Sequence, residues 1–134
     1  MKKDKEAGRI KYMLIDIRKL IESFKVAFKG LFYGARDEAT FRAGLAISVV
    51  VIFLTFYFPL ISIERAVIFL TIFVVLGMEL INTQVERTTN LIDKNYNPEI
   101  KIIKDLAAGA VLLIVIVSAI VGGLIFIPYI FGLK

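Results

Sequence analysis

The chain of 134 residues contains no cysteine and no histidine. These absences exclude thiol nucleophiles, disulfide bonds, histidine general bases and zinc sites built on either residue. Any catalysis must therefore use carboxylates, amides, hydroxyls and cations, together with a hard metal ion such as Mg²⁺. Neither GxxxxGK[ST] nor GxGxxG occurs, so a P-loop and a protein-kinase glycine loop are also excluded.

Apolar residues dominate what is present. They make up 58% of the chain, with a mean hydropathy of +0.79, and this share exceeds that of an ordinary globular domain. We predict a single all-α integral membrane domain over residues 1–134, with an N-terminal amphipathic interfacial helix and three transmembrane helices. Its predicted parts are a charged leader and interfacial helix over residues 1–34 and spans over residues 37–60, 63–93 and 98–131.

The N-terminal segment combines an apolar stripe with a basic face. Between Ile10 and Phe32 the apolar residues recur every three or four positions, and most Lys and Arg residues lie on the opposite side. Beside membrane spans, such a helix is typical of the interface with anionic head groups; the alternative is a soluble helix that packs on a partner. Residues 1–8 lack the features of a signal peptide and are interpreted as a retained, frayed leader. Gly30 and Gly34 predict a bend after the helix.

Local signals mark where the later helices begin. Ser62 is predicted to be the N-cap of the second span. Asn97 as N-cap, followed by Pro98 at the first helical position, predicts the start of the third span. Three glycines of that third span are predicted to allow close packing between helices: Gly109, Gly122 and Gly123.

The second span ends in a polar face. Its apolar part covers only about 13 residues, which is too short to cross the hydrocarbon alone. Glu79 is therefore expected inside the protein and not against lipid. If the helix continues past Gly77, the polar residues that follow step by three or four and share one face. These residues are Glu79, Asn82, Thr83, Glu86, Asn90 and Asp93.

The distribution of positive charge predicts the orientation. Fifteen of the seventeen Lys and Arg residues lie on one side of the predicted spans, in residues 1–43 and 87–105. Because such segments remain in the cytoplasm, we expect a multi-pass cell-membrane protein with a cytoplasmic N-terminus. Glu38 and the polar face from Glu79 to Glu86 would then meet at the cytoplasmic membrane surface and form one site. We expect membrane lipids, and no nucleic acid, among its partners.

Carboxylates on two helices, beside an amide and cations, suit a site for a divalent metal ion and phosphate. Mg²⁺ prefers one or two carboxylates plus phosphate oxygens and water, and the cytoplasm supplies ATP. The acceptor would be a lipid alcohol within the membrane, and Glu79 is placed deepest to take its proton. Two other functions stay open at this point. They are a small ion-coupled transporter, which also carries a membrane carboxylate, and a non-catalytic membrane anchor.

Two sequence elements carry a family resemblance. The first is Glu79-Leu80-Ile81-Asn82-Thr83-x-x-Glu86, and the second is Lys104-Asp105-Leu106-Ala107-Ala108-Gly109 at the start of the last span. Together they resemble the prokaryotic diacylglycerol kinase family, which includes undecaprenol kinases. Residues 23–31 and 38–42 add to the likeness, which covers roughly residues 23–127.

The resemblance implies a surface helix and three spans per chain, assembled as a homotrimer with sites between subunits. It implies a membrane lipid kinase with ATP and Mg²⁺ as donor complex and a lipid alcohol as acceptor, diacylglycerol first and undecaprenol second. The residue roles that it implies are Glu79 as catalytic base, Asn82 as a polar active-site residue, Glu38 and Glu86 as metal ligands beside the nucleotide, and Lys104 with Asp105 as the nucleotide-binding pair.

The chain departs from the family pattern within these elements. Asn90, in the nucleotide-binding set, stands where the family usually has an aspartate, which removes one negative charge near the nucleotide. This change predicts weaker metal or phosphate binding, or an altered preference for acceptor or donor. Gly44 stands where several members have a glutamate. Smaller departures are Gln84 in place of alanine, and Thr88 and Thr89 in place of valine.

Overall fold

The computed structural model is built of four helices over the part that it describes, which comprises residues 2–93 and 97–133, with side chains from residue 17 onward. The prediction of an all-α chain is confirmed, and the last three helices are each long and apolar enough to cross a membrane. They follow the predicted spans to within three residues at each end. The helices are α1 (Lys2–Asp37), α2 (Ala39–Tyr57), α3 (Ser62–Ile92) and α4 (Pro98–Ile130).

The first helix is continuous and makes up a compact unit of its own, which ends at Asp37. It passes through Gly30 and Gly34, so the predicted bend is wrong; glycine weakens a helix interior by about 1 kcal/mol but does not by itself break it. The helix also includes the leader residues from Lys2 onward, so the leader is helical and not frayed. Large apolar side chains of α1 are exposed, among them Leu20, Phe24, Phe28 and Phe32. Its location at the membrane interface stays a prediction.

In the second unit α3 is the central helix, because it packs against both α2 and α4. The core of this unit lies around Leu60, Ile68, Ile72 and Phe126, at the end of α2 remote from Glu38. Little of the apolar surface is buried within the chain: in α2, α3 and α4 only 11%, 11% and 6% of the residues in the most apolar stretch are buried. The other apolar faces must therefore be covered by lipid or by further protein.

Glu64 links α3 to α4 at the end of the unit that lies nearest the core. Its Oε2 atom accepts a hydrogen bond from the backbone N–H of Ile61 at 3.1 Å and another from the hydroxyl of Tyr129 at 2.6 Å. The second bond ties the start of α3 to the end of α4. Ile61, and not Ser62, is the N-cap residue of α3. The predicted Ser62 cap is wrong, and the carboxylate of Glu64 satisfies the backbone at this helix start instead.

The start of α4 agrees with its sequence signal. Asn97 Oδ1 accepts a hydrogen bond from the backbone N–H of Glu99 at 3.0 Å, and Pro98 is the first residue of the helix. Proline suits this position because its missing N–H would have no partner within the helix. The predicted N-cap is thus confirmed.

Close approach between helices occurs at a glycine that the sequence did not mark for packing. A Cβ atom added to Gly44 of α2 would lie 3.2 Å from Leu76 Cδ2 of α3. Among the residues that the structure describes, a Cβ atom at Gly109 or Gly122 would meet nothing within 4 Å, and one at Gly123 would meet only Ile127 of its own helix. Within one chain, the predicted close packing at the α4 glycines is therefore wrong.

We predict that Gly44→Leu lowers the free energy of unfolding by about 1–3 kcal/mol, because the added side chain overpacks the contact with Leu76. Gly109→Leu is the matched control: it adds the same side chain at a helix position that is open within the described residues, and it is expected to raise stability by up to about 1 kcal/mol because leucine favours a helix interior over glycine. Unfolding of the full chain in detergent micelles measures both. Equal losses for the two variants would contradict the assignment of the close approach to Gly44.

Candidate active site

The polar face predicted on the second span lies on one unbroken helix, because α3 continues to Ile92. Glu79 and Asn82 are half-buried and Glu86 is exposed, so the face runs outward from the apolar part of the helix. Asn82 Nδ2 donates a hydrogen bond to Glu86 Oε1 at 3.0 Å, one turn further along. This bond fixes the amide and leaves its carbonyl oxygen pointing away from Glu86.

Two acceptor groups on this face have no partner in the part of the chain that the structure describes. Asn82 Oδ1 is buried and accepts no hydrogen bond. The carboxylate of Glu79, three residues earlier, makes no hydrogen bond or ion pair there either. Buried acceptors are nearly always satisfied in folded proteins. A ligand hydroxyl between them could donate its one proton to either acceptor, or to both in a bifurcated hydrogen bond.

Glu38 is held against α3 by an ion pair. It is the N-cap residue of α2, with an extended backbone at φ −105° and ψ 116°. Arg87 Nε and Nη2 donate to Glu38 Oε1 at 2.9 and 2.5 Å. Because Arg87 directly follows Glu86, the pair places Glu38 beside the polar segment of α3. Within the described residues, however, no three acidic side chains come close enough to hold a metal ion, so the joint ligand role of Glu38 and Glu86 stays a prediction.

A second contact joins α3 to α4. Lys104 Nζ donates a hydrogen bond to Asn90 Oδ1 at 2.6 Å. The structure therefore brings together two of the residues predicted to bind a nucleotide. Asp105, the next residue, is exposed and makes no hydrogen bond or ion pair within the described chain.

An apolar cleft of about 360 Å³ lies between α2, α3 and α4. Three hydroxyl groups line it, but each donates to the backbone carbonyl four residues earlier in its own helix, at 2.6–2.8 Å. The wall that they form is therefore effectively apolar and suits a hydrocarbon chain. The hydroxyl residues are Ser48, Thr71 and Ser118.

A family model described as prokaryotic diacylglycerol kinase matches residues 25–126. This chain belongs to that family. Undecaprenol kinase from Bacillus subtilis is 37% identical over 113 residues, which cover 84% of this chain and 92% of that protein. Diacylglycerol kinase from Synechocystis sp. is 38% identical over 110 residues, which cover 81% of this chain and 63% of that protein. The resemblance drawn from the sequence is confirmed, and the chain is a membrane protein of a lipid kinase family.

The structure gives a local reason for two departures from the family pattern. A Cβ atom at Gly44 would lie only 3.2 Å from Leu76 Cδ2 of α3, so a glutamate there would crowd Leu76. Thr89 is only 4% exposed, and its hydroxyl donates to the backbone carbonyls of Val85 and Glu86. A threonine bonded in this way replaces a valine without leaving a buried polar group unsatisfied.

Arg87 is the site residue that sequence reasoning missed. It lies 49 residues from its partner Glu38, and no helical period links positions that far apart. The sequence instead suggested a surface pair between Glu38 and Arg42, four residues away. The one sequence signal that could have identified Arg87 is its position directly after Glu86, at the end of a helix face that is otherwise rich in hydrogen-bond acceptors.

We predict that Asn90→Asp raises the free energy of unfolding by about 0.5 kcal/mol, because the hydrogen bond from Lys104 becomes a partly exposed ion pair. The gain should fall as salt screens the charges. Unfolding in detergent micelles at low and high salt measures it. The control repeats the substitution in a Lys104→Gln background, where no gain is expected. A gain that survives there would contradict the contact.

Proposed function

We propose that this chain is an ATP- and Mg²⁺-dependent lipid kinase, which transfers the γ-phosphate of ATP to the hydroxyl of a lipid alcohol at the cytoplasmic face of the membrane. The observation that carries the proposal is a pair of acceptors on α3, Glu79 and Asn82 Oδ1, that have no partner among the described residues. They lie where an otherwise apolar helix meets the polar site. A lipid alcohol matches both sides of that boundary, because its hydroxyl group suits the polar site and its chain suits the apolar helix.

Glu79 is the base in this proposal. The hydroxyl oxygen of the lipid attacks the γ-phosphorus, the bond from that phosphorus to the bridging oxygen of ADP breaks, and the hydroxyl proton passes to the Glu79 carboxylate. As the hydroxyl enters, its one proton is shared between Glu79 and Asn82 Oδ1 in a bifurcated hydrogen bond, which orients it before the proton passes to Glu79. Positioning and charge neutralisation suffice for this chemistry, so no P-loop is needed.

The nucleotide would lie toward the contact between α3 and α4. Lys104 supplies a cation for the phosphates, and its hydrogen bond to Asn90 leaves that charge unneutralised because an amide carries none. Asp105 presents an exposed carboxylate next to it, which can accept hydrogen bonds from the nucleotide. Departure from the family aspartate thus makes this end of the site more positive.

The carboxylates present fit Mg²⁺ in chemistry. Glu38 and Glu86 each use one oxygen in a hydrogen bond, Glu38 with Arg87 and Glu86 with Asn82, while their second oxygens accept no hydrogen bond within the described chain. Hard oxygen ligands of this kind, together with phosphate oxygens, are what Mg²⁺ prefers. When bound, the ion neutralises the negative charge of the phosphates.

The membrane setting supports access of a lipid. The charge distribution supports a cytoplasmic location for α1 and for the site end of the second unit. In this proposal α1 lies in the interface with its apolar side chains in the lipid. The cleft between α2, α3 and α4 receives the hydrocarbon chain. Assembly as a homotrimer would cover part of the apolar helix surface that stays unburied within one chain.

Undecaprenol is the first acceptor that we propose, and diacylglycerol the second. The match to the undecaprenol kinase covers 92% of that protein, whereas the match to the diacylglycerol kinase covers 63% of it. This order reverses the one implied by the resemblance alone. The aromatic residues of α2 do not decide it, because Phe53, Phe56 and Tyr57 are exposed at the end remote from Glu38.

The purified full chain in lipid vesicles, supplied with radiolabelled ATP and either lipid alcohol, tests the function. We expect labelled lipid product only when Mg²⁺ and an acceptor are both present, with undecaprenol the faster of the two. Faster labelling of diacylglycerol would reverse the acceptor order. Absence of product with either lipid would contradict the kinase assignment itself.

We further predict that Glu79→Gln lowers kcat by about 10²–10⁴-fold, because the amide cannot take the proton. Nucleotide affinity should stay within about twofold of the wild type, since the side chain does not contact the phosphates in this proposal. Glu99→Gln is the control: it removes an equally charged carboxylate at the start of α4 and should leave kcat unchanged. Retention of most activity in Glu79→Gln would remove the base assignment.

A further inference from the structure

Arg87 forms an ion pair with Glu38, a carboxylate that the proposed function assigns to a metal ion. Its Nε and Nη2 atoms donate to the same oxygen, Glu38 Oε1, at 2.9 and 2.5 Å. The Glu38 side chain is 22% exposed and that of Arg87 is 48% exposed, so water screens the pair only in part. In the state described, the charge of Glu38 is already balanced by a cation from the protein.

We propose that Arg87 makes metal binding depend on the nucleotide. This inference rests on the proposed function. A divalent cation alone would have to approach Glu38 beside the guanidinium, and two positive groups a few ångströms apart repel each other strongly in a partly buried site. Arg87 therefore keeps the affinity for the bare metal ion low.

A nucleotide removes that repulsion because its phosphates offer Arg87 another acceptor. Guanidinium groups bind phosphate oxygens as well as they bind carboxylates, with two parallel N–H donors. Arg87 can exchange Glu38 for a phosphate without losing a hydrogen bond, and the carboxylate becomes available at the same moment. The metal ion and the nucleotide would each raise the affinity for the other.

The position of Arg87 on α3 supports this exchange. It follows Glu86, the other proposed metal ligand, and it lies less than one turn before Asn90, whose side chain contacts Lys104. An arginine at this place lies between the proposed metal ligands and the proposed phosphate-binding lysine. A purely structural link between α2 and α3 would not require that place.

Binding of Mn²⁺ to the full chain in detergent micelles, measured by electron paramagnetic resonance with and without a non-hydrolysable ATP analogue, tests the proposal. We expect Arg87→Gln to bind Mn²⁺ about fivefold more tightly without nucleotide, the size expected for loss of one partly exposed charge. The gain in Mn²⁺ affinity caused by the nucleotide should shrink by at least the same factor.

Lys101→Gln is the matched control, because it removes an equal charge from an exposed side chain of α4 and should change either affinity by less than twofold. Unchanged or weaker nucleotide-free binding in Arg87→Gln would overturn the proposal and leave a structural link. If Arg87→Gln does not fold, Arg87→Lys is measured in its place. That variant keeps the positive charge, so loss of the nucleotide-dependent gain in Mn²⁺ affinity would also overturn the proposal.

The wild-type protein separates this inference from the proposed function. If the wild type phosphorylates lipid and the nucleotide raises Mn²⁺ affinity equally in the wild type and in Arg87→Gln, only the proposed role of Arg87 is overturned. A wild type that neither binds Mn²⁺ with nucleotide nor forms lipid product would remove both.

Discussion

The constraint on which the rest of this structure depends is the placement of a carboxylate on an apolar helix. Glu79 follows a long apolar run of α3 and is half-buried without a partner in the described chain. A charged group in such a place is costly in a membrane protein unless it faces protein or water. The central position of α3 between α2 and α4 provides that protein environment.

Three hydrogen-bonded pairs connect other polar groups at this end of the unit. Asn82 donates to Glu86, Arg87 to Glu38 and Lys104 to Asn90. The last two contacts tie α2 and α4 to the same stretch of α3. On α3, the carboxylate of Glu79 and the amide oxygen of Asn82 belong to none of these hydrogen bonds, and both need a hydrogen-bond donor. The helices are thus held together at this end by the groups that also define the site.

Sequence reasoning succeeded for most features that a single helix determines, although it placed a bend at Gly30 and Gly34 and a cap at Ser62 that the structure does not have. The three-and-four spacing from Glu79 to Asn90 required only that α3 continue past Gly77, and Asn97 with Pro98 is a local signal. It failed where distant parts of the chain meet. The contact between Arg87 and Glu38 spans 49 residues, and the close approach at Gly44 depends on which face of α2 packs against Leu76. Neither is encoded in a spacing.

The same distinction explains why the acceptor cannot be predicted from the motif. The residues that would take the proton and bind the phosphates lie at one end of α3, whereas relatives that carry different acceptor names match the chain about equally, at 37% identity over 113 residues and 38% over 110. Discrimination between a branched polyprenyl chain and acyl chains must come from the apolar walls. Those walls are the cleft and the large helix surface that the chain leaves uncovered. In the proposed function, the lipid or protein that covers this surface would therefore share in selecting the acceptor.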